Sequence, residues 1–217
     1  MRTSFMAAAL FAGAALPLPL AAQSTAAVDR ATAAWSRITS LRATFQQGVT
    51  NPLTGRTETA RGEYQQQGRT RLAVRFTDPP GDRIVADGKH VWLYLPSTTP
   101  GQVLRSPIGE GAGGVDATAQ FLSSPKSRFA ITPKGSATVG GRPADVLLLV
   151  PKNANDRPFA RAKVWVDAKD GLIRQFEVTD AQGLTRKVTL TDVQVNAKVD
   201  PGAFRFSPPK GVRVVDR

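Results

Sequence analysis

Apolar residues near the start of the chain recur at Val28, Ala31, Trp35, Ile38, Leu41 and Phe45. Steps of three and four residues put them on one face of a helical period. The spacing predicts an amphipathic helix from about residue 26 to residue 47. Ser24 or Thr25 caps it, Asp29 falls in its first turn, and Asn51-Pro52 and Gly55 stop it. At about 1.5 Å per residue it is roughly 30 Å long, and its one sticky face must lie on something apolar.

From residue 62 the pattern shortens. Strand-like runs are predicted at 62–66, 70–77, 83–86, 90–95, 101–105, 130–132, 145–151, 160–167, 172–179, 185–195 and 203–206. Turn signals separate them, among them Gln67-Gly68, Asp87-Gly88, Gly140-Gly141, Asp170-Gly171 and Gln182-Gly183. Strands so close in sequence pair antiparallel, in a curved or closed sheet; a doubly wound parallel sheet has no room for its helices. Ala117, Phe121 and Leu122 have helix-like spacing behind Asp116, which predicts a short second helix over 116–124. The glycine-rich run 109–114 before it reads as a loop.

Two strands carry more apolar residues than one packed face needs. Val91, Leu93 and Leu95 alternate with Trp92 and Tyr94, and residues 146–150 are apolar throughout. A half-exposed antiparallel strand should alternate with polar residues. Such strands fit a sandwich buried on both faces, or a curved sheet that lies under helices and lines an apolar cavity.

The first 22 residues stand apart. Arg2 precedes a nearly unbroken apolar run to Leu20, and Ala21-Ala22 follow. This is the layout of a secretory signal peptide, with cleavage expected after Ala22 and one domain over 23–217. The run is short for a membrane span and is interrupted by Pro17 and Pro19. Export into the periplasm is the expected address. With no cysteine in the chain, disulfides, thiol chemistry and N-terminal cysteine lipidation are excluded.

Charge and chemistry narrow the reading further. The formal net charge is +12, with a pI near 10.9, but lysine and arginine are spread along both halves. A nucleic-acid arm would concentrate them. The single histidine, His90, follows Lys89 at the start of a strand, with no motif placing a serine or carboxylate beside it. The run Gly109-Glu110-Gly111-Ala112-Gly113-Gly114 lacks the Gly-Lys-Ser/Thr ending of a phosphate loop. No enzyme, cofactor, metal site or nucleic-acid partner is expected, and the chain reads as a monomer.

Three blocks, in order, carry a resemblance to a known family. Residues 72–96 read LAVRFTDPPGDRIVADGKHVWLYLP, residues 41–47 read LRATFQQ ahead of RGEY at 61–64, and residues 190–216 read LTDVQVNAKVDPGAFRFSPPKGVRVVD. Together they resemble the outer-membrane lipoprotein carrier family, LolA, with LRATFQQ matching the end of its first helix. The resemblance implies an unclosed antiparallel β-barrel, a strongly curved sheet covered by an N-terminal helix and short helices. It implies a periplasmic chaperone that binds the acyl chains of lipoproteins. An ABC-type complex in the inner membrane would release them to it, and an outer-membrane acceptor would receive them. The expected acyl-contacting wall is drawn from Leu72, Val74, Phe76, Trp92, Tyr94 and Phe176. The expected lid residues are Trp35, Ile38, Phe45, Phe121 and Leu122. The family's lid-tying arginine aligns with Gly68, so Arg69, one residue along, is the candidate latch. The alternative on the same fold is a sensor or scaffold that binds lipoprotein or lipopolysaccharide and regulates a partner.

The exported chain is expected to begin at Gln23 and to fractionate with soluble periplasmic proteins. N-terminal sequencing checks this, and Met1 recovered from membrane pellets would contradict it.

Overall fold

The computed structural model describes residues 20–108, 118–153 and 159–217, with side chains from residue 26 onward. Helix α1 (Leu20–Ser36) is followed by six strands: β1 (Ser40–Thr50), β2 (Thr57–Gln67), β3 (Arg71–Asp78), β4 (Pro80–Asp87), β5 (His90–Tyr94) and β6 (Gln102–Pro107). Two single-turn helices follow, α2 (Ala119–Leu122) and α3 (Pro125–Arg128). Five more strands come next: β7 (Phe129–Val139), β8 (Arg142–Pro151), β9 (Arg161–Asp167), β10 (Ile173–Thr179) and β11 (Thr185–Val195). A 3-10 turn (Pro201–Phe204) leads to β12 (Arg213–Asp216).

All twelve strands form one sheet, ordered β12-β6-β5-β4-β3-β2-β1-β11-β10-β9-β8-β7. Every pair is antiparallel except β12 with β6. The sheet curves but does not close: β7 and β12 remain its two edges. This is the expected unclosed barrel. The β1–β2 hairpin and β11 form the long centre, with eleven residues in each strand.

The predicted first helix is correct only in its first half. Helix α1 stops at Ser36, and residues 40–47, including Leu41 and Phe45, lie in β1. Residues four apart share a face in a helix and equally in a strand, so Leu41 and Phe45 fit both periods. The deciding signal is Ala43 between them: Leu41, Ala43 and Phe45 are buried while Arg42 and Thr44 are exposed, a period of two. At its other end α1 runs back to Leu20, ahead of the expected caps Ser24 and Thr25. The run predicted as a strand at 203–206 also differs. Pro201 opens a 3-10 turn there, and the Asp200 side chain accepts a hydrogen bond from Gly202 N at 2.8 Å. The second helix is shorter than predicted. Asp116 and the glycine-rich run 109–114 lie outside the described residues.

Helix α1 rests on the inner face of the sheet, against β7, β9 and α2. It buries Ala27, Val28 and Ala31, small residues that let its backbone come close. A Cβ on Gly171, in the β9–β10 turn, would stand 2.8 Å from the Arg30 carbonyl oxygen. Beneath this seat lies an ionic network. Asp167, with no exposed side-chain surface, accepts from Arg142 and from Arg174 at 3.3 Å. Both arginines also reach Asp170. Burial alone would push the Asp167 carboxyl up. Arg142 and the N–H groups of Lys169 and Asp170 outweigh it and hold the carboxyl well below the usual carboxylate range.

Because the folded pKa is depressed, the stability from this network is complete above the ordinary carboxylate value of 3.8. It is lost as pH falls below that value. Asp167→Asn should cost about 2–3 kcal/mol at neutral pH, since it removes the buried carboxylate and leaves the two arginine head groups with Asp170 alone as charge partner. Urea melts at pH 7 and pH 3 check this: the gap between wild type and variant should be full at pH 7 and narrower, though still open, at pH 3, because the folded carboxyl titrates well below that pH.

Candidate functional site

The register decides which side chains face inward, because directly paired residues share a face. Phe45 pairs with Gly62 and Leu190, Gly62 with Phe76, and Tyr64 with Val74. Farther along, Leu72 pairs with Ala86 and Val74 with Ile84. On the other side Val188 pairs with Phe176, and Phe176 with Val164. These positions form an inner wall that is almost wholly apolar.

Between this wall and α1 lies a cavity of about 450 Å³. Its floor is Leu41, Phe45, Tyr64, Leu72, Val74, Phe76, Phe176 and Leu190, and its roof is Ala31, Trp35 and Leu122. Ile38 closes one end; Gln47, Leu184 and Arg186 reach toward the other. Two of the polar groups on the floor are tied to each other and to the backbone. The Tyr64 hydroxyl donates to Gln66 Oε1 at 2.6 Å, and Gln66 Nε2 donates to the Gly68 carbonyl at 2.9 Å. Phe45 meets Phe76 edge-on at 5.3 Å, a contact made possible by Gly62. A Cβ there would lie 2.8 Å from the Phe45 ring and 2.1 Å from the Arg75 carbonyl oxygen.

Of the six residues expected on the wall, Leu72, Val74, Phe76 and Phe176 line the cavity. Trp92 and Tyr94 do not, which corrects the expectation. Val91 and Leu93 pair with the inward Ala86 and Ile84, so Trp92 and Tyr94 face outward. Their partner there is the C-terminal tail: Phe206 lies 5.5 Å from the Trp92 ring and 5.8 Å from Tyr94. Val85, Val103 and Phe204 are also buried but stand apart from the main core. The doubled apolar content of β5 thus has two causes, the cavity side and a tail-covered outer cluster. The Asp87-Gly88 turn explains Trp92 further. Asp87 accepts from the N–H groups of Lys89 and His90 and from Trp92 Nε1, each at 2.8 Å. Burial acts to raise its pKa, and these donors, Trp92 first, bring it below the ordinary value.

The expected lid residues divide among three elements. Trp35 is on α1, and Ile38 is in the link that follows it. Phe121 and Leu122 are on α2, where Phe121 packs 5.3 Å from Phe176 and 5.8 Å from Phe159. Phe45 belongs to the floor. Arg69 sits in the turn between β2 and β3, where strand parity does not apply, and its guanidinium lies 3.8 Å from the centroid of the Trp35 ring. Sequence reasoning missed Tyr64, Gln66, Ile84, Val188 and Leu190. Two-residue alternation through 60–66 and 186–190 was the available signal.

Comparison with known proteins agrees with this geometry. Residues 36–207 match the family model described as outer membrane lipoprotein carrier protein LolA. An outer-membrane lipoprotein carrier protein of Chromobacterium violaceum is 31% identical, over 96% of this chain and 94% of its own length. One from Methylibium petroleiphilum is 28% identical, over 93% and 95% respectively. Among solved structures, an uncharacterized conserved protein of Thermus thermophilus superposes with a TM-score of 0.55 at 18% identity. The match covers 90% of this chain and 99% of that one.

Gly62→Ala should lower stability by roughly 1–3 kcal/mol, because the added methyl must displace either the Phe45 ring or the β3 backbone. Thermal melts of the two proteins measure it, and an unchanged midpoint would contradict the close approach.

Proposed function

This chain belongs to the LolA family of outer membrane lipoprotein carrier proteins, and on that footing we propose that it carries acylated lipoproteins through the periplasm. The observation that carries the reading is the apolar cavity under a helix joined to the sheet at one end. Acyl chains gain about 0.8 kcal/mol for each CH₂ removed from water, so several chains need a sheltered wall. Leu72, Val74, Phe76 and Phe176 supply it, with Phe45 beside them. A volume of about 450 Å³ falls within the roughly 300–1,000 Å³ of a single small-ligand pocket. Cargo with several chains therefore requires α1, with Trp35, and α2, with Phe121 and Leu122, to shift outward.

Arg69 ties the C-terminal end of α1 to the β2–β3 turn through its contact with Trp35, in place of the arginine that the family carries one residue earlier. A cation over an indole ring stabilises by about 0.5–2 kcal/mol, enough to bias a lid without locking it. The signal sequence delivers the chain to the periplasm. There an ABC-type complex of the inner membrane loads it, and an acceptor at the outer membrane unloads it. Among the described residues no helix is long and apolar enough to cross a membrane.

Val74→Glu places a carboxylate on the half-buried wall. It should weaken binding of a synthetic tripalmitoylated lipopeptide at least tenfold, a loss of about 1.4 kcal/mol. Val150→Glu, on the outer face of β8, should leave binding unchanged. Affinity of the wild type should persist at high salt, because apolar burial drives it. Equal binding by the folded Val74 variant, with circular dichroism as control, would remove Val74 from the site. Wild-type binding that collapses with salt would overturn the carrier reading.

A further inference from the structure

The two ends of α1 are held in different ways. Past Ser36 the chain tightens, with Arg37 N donating to the Ala34 carbonyl and Ile38 N to the Trp35 carbonyl. The link is then bolted to the sheet by Asn196, which follows β11. Its Oδ1 accepts from Thr39 N at 2.8 Å and from Thr39 Oγ1 at 3.0 Å, and its Nδ2 donates to the Arg37 carbonyl at 3.1 Å. Asn196 N donates to the Ser40 carbonyl, and Gly68 N to the Thr39 carbonyl. Ser40 Oγ donates to the Ala197 carbonyl at 2.6 Å. Asn196 has a φ of 56°, a conformation that asparagine tolerates better than most residues.

Between Ala27 and Thr32 the helix is held by small apolar residues and by part-exposed ion pairs. Its charged contacts are Asp29 with Lys126 of α3 and Arg30 with Asp145 of β8, all four side chains between a third and three-fifths exposed. Its buried apolar residues are Ala27, Val28 and Ala31, which lose less on exposure than leucine or phenylalanine. Among the described residues, two polar atoms there, Arg30 Nε and Thr32 Oγ1, are buried without a hydrogen-bond partner. Closure costs them their hydration, and lifting this stretch restores it.

We propose that Asn196 is the positioning residue of the lid. It fixes a pivot at residues 37–39, about which the rest of α1 lifts. This rests on the carrier reading for the cargo that drives the motion. The contact of Arg69 with Trp35 then belongs to the fixed end and steadies the pivot. Cargo enters beside α3 and the β9–β10 turn, where the helix parts from the sheet.

The chain has no cysteine, so pairs of spin labels can be placed without background. One pair, Ala26→Cys with Ser136→Cys, spans the free end in the full chain purified from the envelope. A second, Ser36→Cys with Gln194→Cys, spans the pivot. With the tripalmitoylated lipopeptide, the first distance should lengthen by several ångströms and the second should hold. The reverse pattern, or both moving together, overturns the proposal. Should the lipopeptide fail to bind, the carrier reading falls. The pivot is then tested in roughly 1 M salt, where screening reaches about 3 Å and weakens both ion pairs. A broadened first distance beside a narrow second supports it, and no asymmetry overturns it. Asn196→Gly keeps the backbone conformation open but removes the amide, and should broaden the second distance without any lipopeptide. Asn196→Asp keeps the acceptor for Thr39 and should narrow it again. A lower melting temperature for Asn196→Gly with the second distance unchanged would mean a purely structural residue, contrary to the proposal.

Discussion

A sheet that curls without closing has an inner apolar face that its own side chains cannot fill. In a closed small barrel the inward residues meet across the axis and finish the core. Here the space above Phe45, Val74 and Phe176 stays open on one side, and a separate element must cover it. The arrangement of α1 and α2 follows from that need. Small residues on α1 bring it close to β7 and β9, while Phe121 of α2 plugs the gap beside Phe176. The cover is bound less tightly than a barrel strand would be, since it shares no ladder with the sheet.

The outer face is treated unevenly. Over β3 to β6 the C-terminal segment lays Phe204 and Phe206 on Val85, Trp92 and Tyr94, and β12 pairs with the edge. The Asp87 carboxylate holds the β4–β5 turn and the Trp92 indole together. A motif that looks like a ligand-binding aromatic strand is therefore a structural joint on the far side of the sheet. Over β8 and β9, Trp165 has Lys187 across its ring at 5.9 Å, and Val150 is exposed.

The sheet was legible because turn residues punctuate it; ten of the eleven predicted runs lie in strands. Beta-strand β1 was not, because Leu41 and Phe45 continue the spacing of α1 and no glycine or proline marks Ile38-Thr39. Hydrogen bonds to Asn196, more than 150 residues away in the chain, define that break, and local pattern cannot register a partner so distant. Parity was the other limit. Alternation shows that Val91 and Trp92 face opposite ways, but which way is inward depends on the pairing of β5 with β4. Four of the six expected wall residues share the inner parity; Trp92 and Tyr94 drew attention by size, a property that both faces of this sheet reward.

An unclosed barrel also leaves two rows of backbone groups that another chain could extend into a growing sheet. Both borders here are blunt. Beta-strand β12 offers four residues, with Arg105 and Asp216 joined across it and its neighbour. Along β7, Pro133 has no N–H to give, and the register breaks between Pro133 and Ser136 beside Gly135, whose φ is 88°. Short, charged or bulged borders are poor templates for edge-to-edge growth. A sheet that stays open along one side is thereby spared the edge-to-edge aggregation that openness invites.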